Sequence, residues 1–186
     1  GTVTLVGTNG GSGLTAGTCH GIHLSGSTVK VDSSLGALSL AGTSSAYGSN
    51  ASHHGIYMEN GAKVQSTNAS VSLTGLSGTP AANGSNYGIH LTGANTQVTT
   101  AFGSITLNGT SRAVGTSTSN IGVRMEAGAQ VGSTASSSVP IVINGTGANS
   151  TRTATDSNTS NHGVYLTGTN TKISTAKGSV VITGTG

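Results

Sequence analysis

GIHLTGANTQV at residues 88–98, followed by GSITLNGT at 103–110, decides how this chain folds. Ile89 and Leu91 of the first piece are aliphatic with polar side chains between them, and so are Ile105 and Leu107 of the second. This is the period-two pattern of a strand with one buried face. Glycine interrupts both pieces before an apolar i, i+3, i+4, i+7 face can build up, so neither reads as a helix. Strands this short are not stable alone, and their partners must come from elsewhere in the chain.

The same two pieces recur. Glycine-led copies of the first are GIHLSGSTVKV from Gly21, GIYMENGAKV from Gly55, GVRMEAGAQV from Gly122 and GVYLTGTNTKI from Gly163; with Gly88, successive starts are 34, 33, 34 and 41 residues apart. Copies of the second are GTVTLVGT at the start of the chain, then GALSLAGT, ASVSLTGL, VPIVINGT and GSVVITGT. Each repeat supplies three strand patterns. The first puts Ile22/Leu24, Ile56/Met58, Ile89/Leu91, Val123/Met125 and Val164/Leu166 inward, and the second Val31, Val64, Val98, Val131 and Ile173. The third places Leu5, Leu40, Leu73, Leu107, Ile143 and Ile182 in the core.

Stacking equivalent strands about 4.8 Å apart pairs each with its copy in the next repeat. The expected fold is therefore all-β: a right-handed parallel β-helix, or β-solenoid, with three short strands per coil and about five coils. The hand follows from the bias of parallel crossover connections. Residues 1–186 form a single such segment. Gly26, Gly61, Gly93, Gly128 and Gly168 are expected at corners with positive φ. The residues from Gly42 to Gly55, Gly75 to Gly88, Gly109 to Gly122 and Gly145 to Gly163 are expected as polar loops along one side.

Of 186 residues, 31 are glycine, 6% are charged and 3% are aromatic, with no tryptophan. Soluble domains carry roughly 25% charged residues, so Ser, Thr and Asn must supply most of the solvation. Such a composition also fits a flexible polar tract, but regularly placed Val, Ile and Leu argue against that. The formal charge of +3 includes seven scattered cations, Lys30, Lys63, Arg112, Arg124, Arg152, Lys172 and Lys177. Without a basic run or interleaved aromatics there is no nucleic-acid footprint. No apolar run reaches membrane-spanning length. Cys19 is the sole cysteine, so no internal disulfide forms. Third-strand blocks stand at both ends with no initiator Met, signal segment or cap, so the chain reads as an uncapped part of a longer one or as a unit adding end to end.

The pattern G-[IV]-x-[LM]-x-x-G-A-x-V followed by G-S-[IV]-x-L-x-G-T resembles the repeats of giant bacterial surface proteins related to filamentous haemagglutinin and other β-helical adhesins. The resemblance covers nearly the whole chain. It implies an extracellular or cell-surface location and a structural role, as an adhesin shaft, rod or fibre segment. The partners it implies are further coils of the same chain, a second copy added end to end, and host or neighbouring-cell glycans or proteins. It transfers no catalytic motif, cofactor or metal. A β-helical polysaccharide-binding or polysaccharide-degrading protein is the alternative.

Two side-chain columns stand out. One reads His23, Tyr57, His90, Arg124 and Tyr165, and the other His20, His54, Tyr87, Ile121 and His162. Metal binding would need Cys or carboxylate partners that do not recur nearby; rings stacked up the solenoid are the preferred reading. Asn86, Asn120 and Asn161, with His53 and Cys19 in the same place, suggest a corner ladder, since Asn tolerates the left-handed conformation. Lys30, Lys63, Gln97, Gln130 and Lys172 read as a solvated face. The carboxylates are Asp32, Glu59, Glu126 and Asp156. Glu59 and Glu126 lie two repeats apart, roughly 9–10 Å, near the limit for an inverting glycosidase pair, but Tyr, Trp and Arg to grip sugar are expected to be missing around them. Thr4, Ser39, Ser72 and Thr106 are interrupted by Val142 and Val181, which spoils a flat ice-binding ladder. Asn-x-Ser/Thr at Asn50, Asn68, Asn108 and Asn144 arises readily by chance in this composition.

Overall fold

The computed structural model describes residues 1–10, 18–44, 52–79, 84–112, 119–134, 138–148 and 160–186. Asn50, Arg152, Asp156 and the tips of the expected polar loops lie outside them. The described residues form strands that visit three sheets in rotation, which we call A, B and C. β1 (Val3–Asn9), β2 (Cys19–Ser25) and β3 (Lys30–Ser33) lie in A, B and C, and β4 (Leu38–Ser44), β5 (His53–Glu59) and β6 (Lys63–Ser66) follow in the same order. Then come β7 (Val71–Leu76), β8 (Ser85–Thr92), β9 (Gln97–Thr100), β10 (Ile105–Thr110), β11 (Ser119–Glu126) and β12 (Gln130–Ser133). β13 (Ile141–Thr146), β14 (Ser160–Leu166) and β15 (Lys172–Thr175) make a further round, and β16 (Val180–Thr185) closes in sheet A.

Every pairing is parallel and joins a strand to its copy in the next repeat. Leu5 faces Leu40, then Leu73, Leu107, Ile143 and Ile182 in one unbroken column. The fold is thus a parallel β-solenoid with three strands per coil. Leu40, Leu73, Leu107 and Ile143 are fully buried, together with Ile56, Met58, Ile89, Leu91, Val123 and Met125 from sheet B and Val64, Val98 and Val131 from sheet C. Burying each such side chain stabilises the fold by about 1.5–3 kcal/mol. Leu5 and Ile182 keep the register but are 37% and 48% exposed. They belong to the two outermost strands of sheet A, where one neighbour that would cover the side chain is missing.

At the B-to-C corners Gly26, Gly61, Gly93, Gly128 and Gly168 all have positive φ, between 85° and 115°. A second set of glycines does something the repeat alone did not explain. Gly42, Gly75, Gly109 and Gly145 of sheet A lie against Gly55, Gly88, Gly122 and Gly163 of sheet B so closely that a Cβ on either row would collide with backbone of the other. The two sheets therefore touch main chain to main chain along a glycine seam.

The strands also run past this seam into the segments expected as loop. β4 continues to Ser44, β5 starts at His53, and β8 and β11 start at Ser85 and Ser119. A second compartment lies beyond the seam, and it is polar. Sheet B contributes Cys19, His53, Asn86 and Asn120, sheet A contributes Ser44, and Ser77 and Ser111 follow directly on β7 and β10, all buried. These segments stay in the sheets because their backbone groups continue the ladders, as in Ser77 N–H to Thr110 C=O at 2.9 Å and Ser111 N–H to Thr146 C=O at 2.9 Å.

Candidate functional site

The outer side of sheet B gathers a cluster of titratable groups: His20, His23, His54, Tyr57, Glu59, Tyr87, His90, Arg124 and Glu126. Each strand passes its seam glycine with the side chains three apart on one side, so that His20 and His23 meet edge to face with centroids 5.2 Å apart. Two ring columns result. In one, His20 stacks on His54 at 5.0 Å and His54 on Tyr87 at 4.7 Å, with interplanar angles of 14° and 4°. In the other, His23 stacks on Tyr57 at 4.9 Å and Tyr57 on His90 at 5.0 Å. The columns touch edge to face at His54–Tyr57 and Tyr87–His90. Arg124 and Ile121 interrupt them; the Arg124 guanidinium lies over the rings of Tyr87 and Tyr165, 5.1 and 5.3 Å from their centroids, a cation–π arrangement. His162 and Tyr165 stack on each other at 5.2 Å.

Packing of this kind removes the central rings from solvent. His54, Tyr87 and His90, in the middle of the columns, are 3%, 4% and 7% exposed, while His23 and His162 are exposed and His20, Tyr57 and Tyr165 half-buried; the sequence reads all of them as surface. Burial disfavours the imidazolium form. It holds His20 down to about 4, helped by the nearby His23, His53 and His90, and it is the main cause of lowered values at His53, His54 and His90. The His54 Nδ1 accepts a hydrogen bond from Tyr87 N–H at 3.3 Å.

Glu59 and Glu126 each clamp two repeats together. Glu59 takes the Tyr57 hydroxyl at 2.7 Å and His23 Nε2 from the repeat before at 3.0 Å. Glu126 does the same with Arg124 Nη2 at 2.6 Å and His90 Nε2 at 2.7 Å. The hydrogen bond from His90, then that from Arg124, hold the Glu126 carboxyl at about 2, and the Tyr57 hydroxyl is the main cause lowering Glu59. Contrary to the sequence expectation, Tyr57 and Arg124 do flank these carboxylates. They are tied to them rather than free. A hollow of about 230 Å³ opens over this layer, lined in part by His20, His54, Tyr87, His90, Arg124 and Glu126. Among the described residues no group of three or more His, Cys, Asp or Glu is placed to hold a metal ion.

The asparagines lie in strands, and the left-handed conformation expected of them occurs elsewhere. Asn120 Nδ2 donates to Asn161 Oδ1 at 3.0 Å and Asn86 Nδ2 to Asn120 Oδ1 at 3.5 Å, inside the polar compartment. The positive-φ non-glycine residues among those described are Asn60, Asn95, Ala127 and Asn170, all at the B-to-C corners.

Those corners expose an alternation that the repeat alignment passed over. Repeats from Gly55 and Gly122 carry Met-Glu and step eight residues from Ile56 to Val64 and from Val123 to Val131. Repeats from Gly21, Gly88 and Gly163 carry Leu followed by Ser or Thr and step nine, as from Ile89 to Val98. The longer corner bridges to the shorter one: Thr96 and Thr171 hydroxyls accept from Gly61 N–H at 3.0 Å and Gly128 N–H at 3.1 Å. The recurrence of Glu at 59 and 126 was the readable sign of this two-repeat unit.

The fold and this layer define a parallel β-solenoid repeat protein whose outer face on sheet B is an ordered ring-and-carboxylate ladder. No family model matches the chain, and neither a curated protein nor a solved structure matches it.

Proposed function

We propose that the chain is a structural rod segment of a large secreted bacterial surface protein, an adhesin shaft or extracellular fibre of the filamentous-haemagglutinin type. The observation that carries this reading is the unbroken register of all three sheets, with equivalent aliphatic side chains stacked on the inward face through successive repeats. Such an arrangement makes stiffness and length by repetition, since each repeat contacts only its neighbours. The recurring chemistry along the columns is spent on holding repeats together: stacked rings, Glu clamps and Asn ladders. Both clamp carboxyls lie below the usual carboxylate range, whereas glycoside cleavage needs one carboxyl raised to serve as acid. That favours a mechanical role over a catalytic one.

The partner that fits best is a further coil, from the same chain or a second copy. Val180, Val181 and Ile182 of β16 are 40–48% exposed and their strand has a free edge. Analytical ultracentrifugation of the 186-residue chain is expected to show concentration-dependent association, and electron microscopy to show rods that lengthen as it proceeds. A compact monomer at every concentration would overturn end-to-end addition. Glycan-cleavage assays on Glu59→Gln/Glu126→Gln beside the parent should find no activity in either; activity lost in the double variant would establish the enzymatic alternative.

A further inference from the structure

We propose that Cys19 and His53 form a two-ligand site for one soft monovalent cation, Cu(I) or Ag(I), inside the polar compartment beyond the glycine seam. Cys19 of β2 and His53 of β5 are partners in the parallel register of sheet B, one strand spacing apart and on the same face. Both are buried, at 3% and 1% exposure. Cys19 is a free thiol, and neither ring nitrogen of His53 has a hydrogen-bond partner. Orphaned polar atoms this deep are rare in folded proteins and call for a cause. The thiol does not satisfy the ring, and solvent does not reach it. Further along the same column the chain meets this need differently. Asn86, Asn120 and Asn161 are in register, and Asn86 Nδ2 donates to Asn120 Oδ1 at 3.5 Å and Asn120 Nδ2 to Asn161 Oδ1 at 3.0 Å. Cys and His stand in place of that self-satisfying ladder in the first two repeats, and what they offer instead is a pair of metal donors.

Three features set the chemistry of the ion. Thiolate and imidazole are the ligands that soft cations prefer, and bonds of about 2 Å to sulfur and to nitrogen together span about 4 Å, which fits between side chains on strands about 4.8 Å apart. Coordination number disfavours the commoner dication: zinc takes four ligands, and among the described residues no third His, Cys, Asp or Glu is placed to join the pair. Charge points the same way. The ion displaces the thiol proton to solvent, so the bound thiolate and monovalent cation carry no net charge, whereas a dication would leave a buried positive charge. The compartment is already edged by one cation, since Arg112 donates to the Ser77 and Ser44 carbonyls at 3.0 and 3.2 Å. Burial lowers His53 below its usual value, which keeps the imidazole in the neutral form that binds metal.

This inference goes beyond the rod reading and does not rest on it, because both ligands lie in one chain. The test is titration of the reduced 186-residue chain with Cu(I) under argon, in competition with the chromophoric chelator bicinchoninate, followed by copper X-ray absorption on the product. One Cu(I) per chain should be withdrawn from the chelator with release of one proton, and the absorption should show one sulfur and one nitrogen at about 2 Å. Cys19→Ser and His53→Asn should each weaken retention roughly a hundredfold or more, whereas His162→Asn, at an exposed ring on the outer side of sheet B, should leave it unchanged. Thermal melts establish that each variant folds. Asn already occupies this column at Asn86, so His53→Asn decides if Cys19→Ser does not fold, and the absorption of the parent chain decides if neither does. No Cu(I) retained, retention indifferent to either substitution, coordination without nitrogen or without sulfur, or Zn(II) held as tightly as Cu(I) would overturn the proposal.

Discussion

At the scale of single residues, glycine here has two physical roles that look alike in sequence. Gly88 is required because sheets A and B meet there, and a Cβ on it would run into Thr110 N, Gly109 C and Gly122 O. Backbone cannot move aside without breaking two ladders. Gly88→Ala is therefore expected to lower the unfolding free energy by about 2–4 kcal/mol, read as a drop in the urea midpoint. Gly132→Ala, where a Cβ would meet only ordinary contacts with Ser174, the nearest at 3.4 Å, should be neutral or stabilising by up to about 1 kcal/mol. Equal effects at both positions would remove the seam as an explanation.

Imidazoles give a second residue-scale expectation. His20, His53, His54 and His90 have folded-state values below 6.5, so above that pH they are neutral in both states and cost nothing. As pH falls below 6.5 the unfolded chain binds protons that the buried rings refuse, and stability declines toward the folded-state values, about 4 for His20. Glu126 acts at lower pH. Its contribution is complete above 4.5 and is lost as pH falls toward about 2. Urea midpoints should thus be flat above neutrality and fall between about pH 6.5 and 4, and His20→Asn/His54→Asn should flatten that fall. A midpoint unchanged across this range would contradict the buried ring columns.

At the scale of elements, protection should follow neighbours rather than sequence. β7, β8, β10 and β11 are paired on both sides, whereas β1 and β16 are paired on one. Opening free energies approach the global value only where core and ladder are complete. Hydrogen exchange read by mass spectrometry should be slowest at Leu73, Ile89, Leu107 and Val123 and fastest at Val3 and Val180. Uniform protection would mean that the solenoid opens as one cooperative block.

The same scale shows what the strand pattern could and could not convey. Aliphatic alternation made the inward faces readable in all three sheets, because burial of one face is a local demand on sequence. It did not reveal that β5, β8 and β11 extend past the seam, because His53, Asn86 and Asn120 are polar and read as loop. Asn86 and Asn120 are partnered by the asparagine one repeat on, a pairing that no local pattern displays.

At the scale of the whole molecule the unit of construction is two repeats. Duplicating residues 55–121 adds one short and one long corner, and should lengthen the rod by two strand spacings, about 10 Å, while raising the thermal midpoint. Inserting residues 55–87 alone puts two short corners together, so that Gly61 or its copy loses the bridging Thr96 hydroxyl. That variant should gain less stability than half of the pair. Small-angle scattering and thermal melts measure both; equal gain per repeat would reduce the alternation to a decoration.

By itself the sequence determined the three-stranded repeat, the aliphatic columns and the positive-φ corners, because each is written in residues one or two positions apart. Only the tertiary structure decided that the rings of His54, Tyr87 and His90 lie buried, that Glu59 and Glu126 each join two repeats, and that two rows of glycine mark a main-chain contact between sheets. Those features depend on groups some 34 residues apart being brought to one strand spacing, as His90 is to Arg124. Proximity of that kind is created by stacking, and no stretch of sequence contains it until the stack exists.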